Sequence, residues 1–457
     1  MAILSDAQTA SQSEAAKIAE THSLAVPTSG AEDTALIAWV GAVCGGEIVR
    51  FVKASGGNRR QSWAVDVRLP GGVIRELFLR HDPRADIPGI EPYTIPREAE
   101  IYRAIAPIDI KAPRYVAENA SLRAVLTDRA DGIAEFRHLR EPVTKQAIAH
   151  EFMDNLAILH RLDARATELD GGARGRIADY VIREVSLWRT MYEEVGKVDP
   201  LIELAFAWLE ANMPDPDGNP VIVHGDAGPG NFMFHEGHLT ALIDWEFCHI
   251  GDPMEDIAWF SMRCVMEPVP DFQAALRHYE QAVGRSIDRA RLLYHRVLVS
   301  ARVCVIRHRN FAGEPAHAIV SRGLNRRLLV EALSLASGTS VSAPLPVVSP
   351  ATDREWLYDR VITQLGDIVI PGSSDKQVIA VAKNSAKVLK YLKAVDRYGK
   401  AIDIARAEAL ATLLGAGTMA DVPFEEALAY FAQDSLWEAQ LSAEASGSIH
   451  GRHYDQF

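Results

Sequence analysis

The run V-I-V-H-G-D-A-G-P-G-N-F-M-F spans Val221 to Phe234, A-L-I-D-W-E-F spans Ala241 to Phe247, and G-D-P-M-E-D-I-A-W-F spans Gly251 to Phe260. The apolar residues Val221, Ile222 and Val223 deliver His224, Gly225 and Asp226 at their end. Asn231 comes five residues after Asp226, and Asp244 thirteen after Asn231, closing a second apolar run from Leu239 to Ile243. Short apolar runs bounded by Gly, Pro, Asn and Asp read as strands and turns. Two carboxylates and one carboxamide are therefore expected at the mouths of neighbouring short strands, with Gly228, Pro229 and Gly230 keeping the connecting loop tight. Magnesium is a small, hard cation that prefers oxygen donors. Asp244 offers a charged oxygen and Asn231 a neutral one, while Asp226 is left to take or orient the proton of an acceptor hydroxyl. Phosphoryl transfer from a nucleotide needs that equipment. Ordinary turns use the same residue types; the ordered set is what makes the pattern specific.

H-G-D-x-x-x-x-N followed by D-W-E resembles the aminoglycoside phosphotransferase and choline kinase superfamily, whose fold is related to that of protein kinases. The resemblance implies Asp226 as catalytic base, Asn231 and Asp244 as magnesium ligands, and His224 as a brace of the catalytic loop. It implies that Asp252 and Asp256 anchor that loop and the following helix. The implied fold is α+β and two-lobed, a small β-rich N-lobe and a mostly helical C-lobe, here followed by a C-terminal all-α domain. ATP and Mg2+ are the implied cofactors.

The chain has 457 residues, 48% hydrophobic and 24% charged, as in an ordinary soluble globular protein. A formal net charge of −13 argues against a general nucleic-acid or membrane-surface binder. The cysteines Cys44, Cys248, Cys264 and Cys304 are scattered, which suggests neither a zinc site nor a disulfide framework. No apolar stretch reaches membrane-span length and no signal peptide is seen, so the expected compartment is the cytoplasm.

Residues 1–30 read as a mobile segment with a short helix over Ser13–His22, 31–132 as the nucleotide-binding N-lobe, and 133–336 as the catalytic and acceptor-binding C-lobe. A Ser/Pro-rich linker at 337–350 leads to a helical accessory domain at 351–457, which packs on the kinase or mediates self-association. In the N-lobe, Glu47–Ala54 is an expected strand, Ser55–Ser62 a loop, and Trp63–Leu69 with Val73–Arg80 a hairpin. Gly56, Gly57 and Asn58 are candidates to lay backbone amides over nucleotide phosphates. Arg80 stands where kinase-like folds place a lysine, and its partner is expected to be Glu98 rather than Glu100. An L-R at this place resembles the branch of the family found fused to acyl-CoA dehydrogenases. Val125–Gly132 looks like the hinge strand, with backbone groups near Thr127 and Arg129 meeting adenine. The apolar spacing of Ile148, Phe152, Leu156 and Leu159 predicts a helix over Thr144–Asp163, where His160 reads as a packing residue.

Beyond Asp256 the chain reads as helical to about Ala336, with Arg302, Arg307, His308 and Arg309 in one helix and Arg322, Arg326 and Arg327 in another. A solvated face is one reading; an anion pocket for a phosphate- or carboxylate-bearing substrate is the other. The leading function is an ATP- and Mg-dependent kinase acting on a small-molecule hydroxyl, with a hydroxyacyl-CoA as the favoured acceptor. An aminoglycoside or macrolide kinase is the alternative, and a catalytically weak nucleotide-binding scaffold is the alternative of another class.

Overall fold

The computed structural model describes residues 31–54, 60–83, 92–167, 169, 174–310, 316–342 and 345–456. The Ser13–His22 helix and the candidates Gly56, Gly57 and Asn58 lie outside the described residues. The chain falls into two units. One ends at Asp131; the other begins at Gly132 and also takes in Ile108–Lys111.

The first unit opens with helix α1 (Ala31–Cys44), then strands β1 (Glu47–Lys53), β2 (Gln61–Arg68) and β3 (Ile74–His81), helix α2 (Ile95–Ile105), and strands β4 (Tyr115–Asn119) and β5 (Ala124–Asp128). The five strands form an antiparallel sheet in the order β1-β2-β3-β5-β4. Strand alternation explains its core. Trp63, Val65 and Val67 of β2 face inward with Leu77 and Leu79 of β3, and Leu36 and Val40 of α1 pack against them. Helix α2 starts where Thr94 accepts a hydrogen bond from Arg97 N and Pro96 occupies the first turn.

In the second unit helix α3 (Pro142–Arg161) buries Ile148, Phe152, Leu156 and Leu159, as the spacing predicts. Helices α4 (Ile177–Glu193) and α5 (Pro200–Ala211) follow, then strands β6 (Val221–Val223), β7 (Phe232–His235), β8 (His238–Leu242) and β9 (His249–Gly251). β7 and β8 make a hairpin, and β6 pairs antiparallel with β9. Past β9 the described chain is helical to Ser337, as expected, with the two arginine groups on separate helices. It divides into α6 (Pro253–Met266), α7 (Phe272–Val283), α8 (Arg289–Asn310) and α9 (Ile319–Ser337). Asp271 caps the start of α7 by accepting from Ala274 N, and Gly284 ends it in the left-handed region. The C-terminal helices are α10 (Glu355–Gln364), α11 (Lys376–Ala394), α12 (Lys400–Leu414) and α13 (Phe424–Ser446).

α13 lies along α9. A Cβ built on Gly323 of α9 would stand 2.7 Å from Ala439 N and 2.7 Å from the Glu438 carbonyl carbon, so the helices meet backbone to backbone there. The extended segment before α10 is held to α13 by two glutamines. Gln433 brackets Leu345 (N 2.9 Å, O 2.7 Å) and Gln440 brackets Val347 (N 3.0 Å, O 2.7 Å). The C-terminal residues turn back to the core. Arg452 donates to the Val265 and Met266 carbonyls at the end of α6, and buried Tyr454 stacks under Arg296 at 4.6 Å. Gly323→Val is expected to wedge α9 from α13 and cost about 1–3 kcal/mol. A lower melting temperature with faster proteolysis beyond residue 337 would show it; unchanged melting and proteolysis would mean that the close approach is not needed.

Candidate active site

The buried strand β6 ends at His224, and the loop after it is held from below by α6. Asp256 of α6 accepts from His224 N (2.8 Å), Gly225 N (2.9 Å) and His160 Nε2 (3.0 Å). His160, also bonded to Tyr279 at 2.9 Å, is thus a buried strut. Gly225 sits at φ 79°, and a Cβ there would come within 2.2 Å of the Phe247 carbonyl oxygen, so glycine alone fits this turn. His224 is fully enclosed and its Nε2 bonds the Ile243 carbonyl at 3.0 Å. Burial lowers its pKa against the pull of Asp256 and Asp226, so the neutral ring donates that bond. His224 therefore ties the strand before Asp226 to the strand before Asp244.

Asn231 and Asp244 meet at the open end of the β7–β8 hairpin, where Ile243 N donates to Asn231 O at 2.9 Å. The Asn231 amide nitrogen donates to Asp226 O at 2.8 Å, which turns its amide oxygen the other way. Asp244 adopts the left-handed conformation (φ 65°, ψ 55°), uncommon outside glycine and suggestive of a functional constraint. The structure thus brings Asp226, Asn231 and Asp244 together. Among the described residues no group of three or more His, Cys, Asp or Glu forms a metal cluster. Magnesium nevertheless fits the pair present: one carboxylate and one carboxamide oxygen on adjacent residues suit a hard cation that keeps water and phosphate oxygens as its other ligands.

Asp226 has a partner that the sequence reading missed. Arg263 Nε donates to its Oδ1 at 2.8 Å and the guanidinium nitrogen Nη2 to its Oδ2, a two-pronged clamp. Burial opposes the Arg263 charge, but Asp226 and then Asp244 outweigh it and raise its pKa. A carboxylate offers about four lone-pair positions, so the clamp orients Asp226 and leaves sites open for a hydroxyl. The signal was present: Arg263 lies seven residues, two helical turns, after Asp256 and shares its loop-facing side.

α6 is anchored in turn. Asp252 caps it through Met254 N (2.9 Å) and pairs with Arg291 and with His295 (3.1 Å). Glu255 pairs with Arg302 and with His249 (3.3 Å). Arg302 is buried against Trp188, Trp259 and Phe247, and reaches the Gly225 carbonyl at 3.4 Å. It props the loop that carries Asp226 and does not line the cavity beside Arg307 and Arg322. Arg327 is likewise spent, donating to the His450 and Arg452 carbonyls.

Within the first unit, Arg80 Nη1 meets Glu98 Oε1 at 3.0 Å. Glu98 is fully buried, whereas Glu100 pairs locally with Arg97 at 2.9 Å. A second arginine is also missed by the sequence reading: buried Arg60, expected in a loop, pairs with Glu98 and donates to Tyr93 O at 2.7 Å. Glu98 thus joins two arginines. Thr127 is buried in β5, paired with Phe78 and Tyr115. Asp128 N donates to Arg114 O (2.9 Å), Arg129 N to Glu76 O (3.1 Å), and the Arg129 side chain binds Asp66 (2.7 Å) and Glu76. Adenine contact through the Asp128 and Arg129 amides would cost these existing bonds.

Residues 53–293 match the family described as "Phosphotransferase enzyme family". The chain is 30% identical over 182 residues to human acyl-CoA dehydrogenase family member 11, a match covering 37% of this chain and 23% of that protein. It therefore spans less than a quarter of that relative's length. Among solved structures, the macrolide 2'-phosphotransferase MphH from Brachybacterium faecium is 20% identical with a TM-score of 0.45, covering 63% of this chain and 97% of that one. A thermostable mutant of aminoglycoside phosphotransferase APH(4)-Ia, in ternary complex with AMP-PNP and hygromycin B, is 18% identical with a TM-score of 0.48, covering 65% and 98%. No helix among the described residues is long and apolar enough to cross a membrane.

Proposed function

Because this chain belongs to the phosphotransferase enzyme family, we propose that it moves the γ-phosphoryl group of ATP to a hydroxyl of a small molecule. The observation that supports this reading is that Asn231 and Asp244 sit at the open end of one hairpin with the loop carrying Asp226 bonded to Asn231. Asp226, held by Arg263, accepts the hydroxyl proton as the acceptor oxygen attacks phosphorus; the bond to the β-phosphate oxygen breaks and ADP leaves. Asn231 and Asp244 would hold magnesium, which when bound neutralises charge on the phosphates. Arg80, fixed by Glu98, supplies a forked cation to the phosphates in place of a lysine's point charge.

For the acceptor we favour a hydroxyacyl-CoA. The similarity to an acyl-CoA dehydrogenase family member supports this class. Phosphorylation would turn its hydroxyl into a leaving group. The test is ADP release from ATP and magnesium with hydroxyacyl-CoAs, aminoglycosides, macrolides and amino alcohols. Turnover on hydroxyacyl-CoAs alone is the expected result. Turnover on an antibiotic replaces that acceptor assignment, and tight ATP binding without turnover on any acceptor leaves a nucleotide-binding scaffold.

A further inference from the structure

Residues 452–456 leave the accessory helices and close on the last turns of α6, the helix that carries Arg263. Arg452 donates to the Val265 carbonyl at 3.1 Å and to the Met266 carbonyl at 2.6 Å. Tyr454 is buried, with its hydroxyl 2.7 Å from Ser300 Oγ and 3.6 Å from the Met262 sulfur. The ring stacks on Arg296, and that buried guanidinium donates to Ser261 Oγ at 2.9 Å and to the Asp455 carbonyl at 3.0 Å. Tyr454 N donates to Glu331 of α9 at 3.0 Å, and Gln273 of α7 donates to the Gln456 carbonyl.

These contacts bracket Arg263, with Ser261 and Met262 before it and Val265 and Met266 after it. Arg263 lies in the last turn of α6. The final carbonyls of a helix have no partner within it, so the end frays unless other groups take them. Arg452 takes two of them and brings positive charge to the negative helix end. Glu267, just past the helix, is held separately by Arg137 N at 2.9 Å. The stem of Arg263 also supports the loop after Asp226: a Cβ built on Gly228 would stand 2.7 Å from Arg263 Cβ. A shift of this turn would therefore reach Asp226 twice, through the two-pronged clamp and through the loop.

We propose that residues 452–456 form a positioning strap: Arg452 and Tyr454 hold the last turn of α6 so that Arg263 stays on Asp226, and the accessory helices thereby set the activity of the site. The effect on turnover rests on the reading of Asp226 as the base; the hold on α6 does not.

The experiment is hydrogen exchange of the full chain, read on residues 261–267, with ADP release measured beside it on the four acceptor classes above. In Arg452→Gln and Tyr454→Ala the amides of 263–267 should exchange about ten-fold or more faster, as expected when a helix end loses one or two hydrogen bonds. Their kcat should fall, by less than in Arg263→Gln, with the KM for ATP kept. Tyr454→Phe leaves a ring on Arg296 and should recover part of both losses. Gln433→Ala loosens the accessory helices elsewhere, at Leu345, and should change neither readout. Arg452→Gln added to Arg263→Gln should lower kcat no further, because the clamp it holds is already gone. An additive loss overturns the positioning role. Unchanged exchange at 263–267 in Arg452→Gln, or acceleration spread evenly over α6, α7 and α9, overturns the strap. Should Tyr454→Ala not fold, Arg452→Gln decides from a half-buried side chain. Faster exchange at 263–267 with no ADP release from the wild type on any acceptor overturns the phosphotransfer reading and supports the hold on α6.

Discussion

Asp226→Asn is expected to cut phosphotransfer turnover by about 10²–10⁴-fold, the usual contribution of a general base, while nucleotide affinity stays close to that of the wild type. Asparagine keeps the side chain's shape and can still accept one hydrogen bond, but it cannot take a proton at neutral pH. The substitution also leaves the Arg263 guanidinium facing a neutral amide instead of its bidentate counter-ion. The carboxylates still acting on Arg263 are then Asp244 and Glu267. Some stability is therefore lost as well, so ADP release must be compared at matched folded fractions, with ATP affinity measured separately. Arg263→Gln provides the contrast. It keeps the Asp226 carboxylate but removes its clamp, and should cost less turnover than Asp226→Asn because the proton acceptor survives. Near-normal turnover in Asp226→Asn would sink the assignment of the base; equal losses in both variants would mean that orientation by Arg263 matters as much as the charge of Asp226.

The parts of this site that could be read from the chain are those set by neighbours in sequence. The alternation in W-A-V-D-V-R and the Pro70-Gly71-Gly72 turn predicted the hairpin that became β2 and β3, within two residues at each end. The paired apolar runs put Asn231 and Asp244 at the open end of one short hairpin, and H-G-D with the following glycines put Asp226 beside them after β6, where the Asn231 amide bonds its carbonyl. Glu98 could be chosen over Glu100 because they fall on opposite sides of α2: one is buried facing the sheet and the other pairs along the helix with Arg97. What could not be read depends on packing between distant elements. Strand β4 (Y-V-A-E-N) has no fully buried residue and no alternation to announce it. The arginines of α8 and α9 looked like one cluster in sequence, yet they separate in space. Arg302 lies inside an aromatic cage, Arg327 serves the C-terminal residues, and Arg307 and Arg322 line a cavity. Helical phase decides between those fates, and phase becomes meaningful only once the neighbouring helices are in place.

Arg302→Met is expected to destabilise the protein by about 3–5 kcal/mol, the usual cost of removing one partner from a buried ion pair, and to slow catalysis as well. Methionine can fill the space against Trp188, Trp259 and Phe247, so lost packing is not the main effect. The effect comes from Glu255, a buried carboxylate whose partners are Arg302 and His249. Without Arg302 it depends on the imidazole, and the Gly225 carbonyl beside Asp226, the proposed base, loses a donor. Adding Glu255→Gln to Arg302→Met should recover part of the stability, because the uncompensated charge goes with it. The loss should also depend on pH. Burial opposes the charge on His249, but Glu184 and then Glu255 outweigh it and raise its pKa from 6.5 to about 9. A raised histidine contributes stability that is full below its unfolded pKa and is lost as pH rises through the folded one. Arg302 itself lowers the His249 pKa, so its removal should raise that pKa further. The gap to the wild type should stay steady from pH 6 to about 8 and widen as the pH rises past 9, when the wild type's His249 loses its proton before the variant's does. Thermal melts of both proteins across that range measure this directly. A gap that does not widen above pH 9 would show that His249 does not share the carboxylate, and a gap below about 1 kcal/mol would show that Arg302 acts on the loop carrying Asp226 without holding the core together.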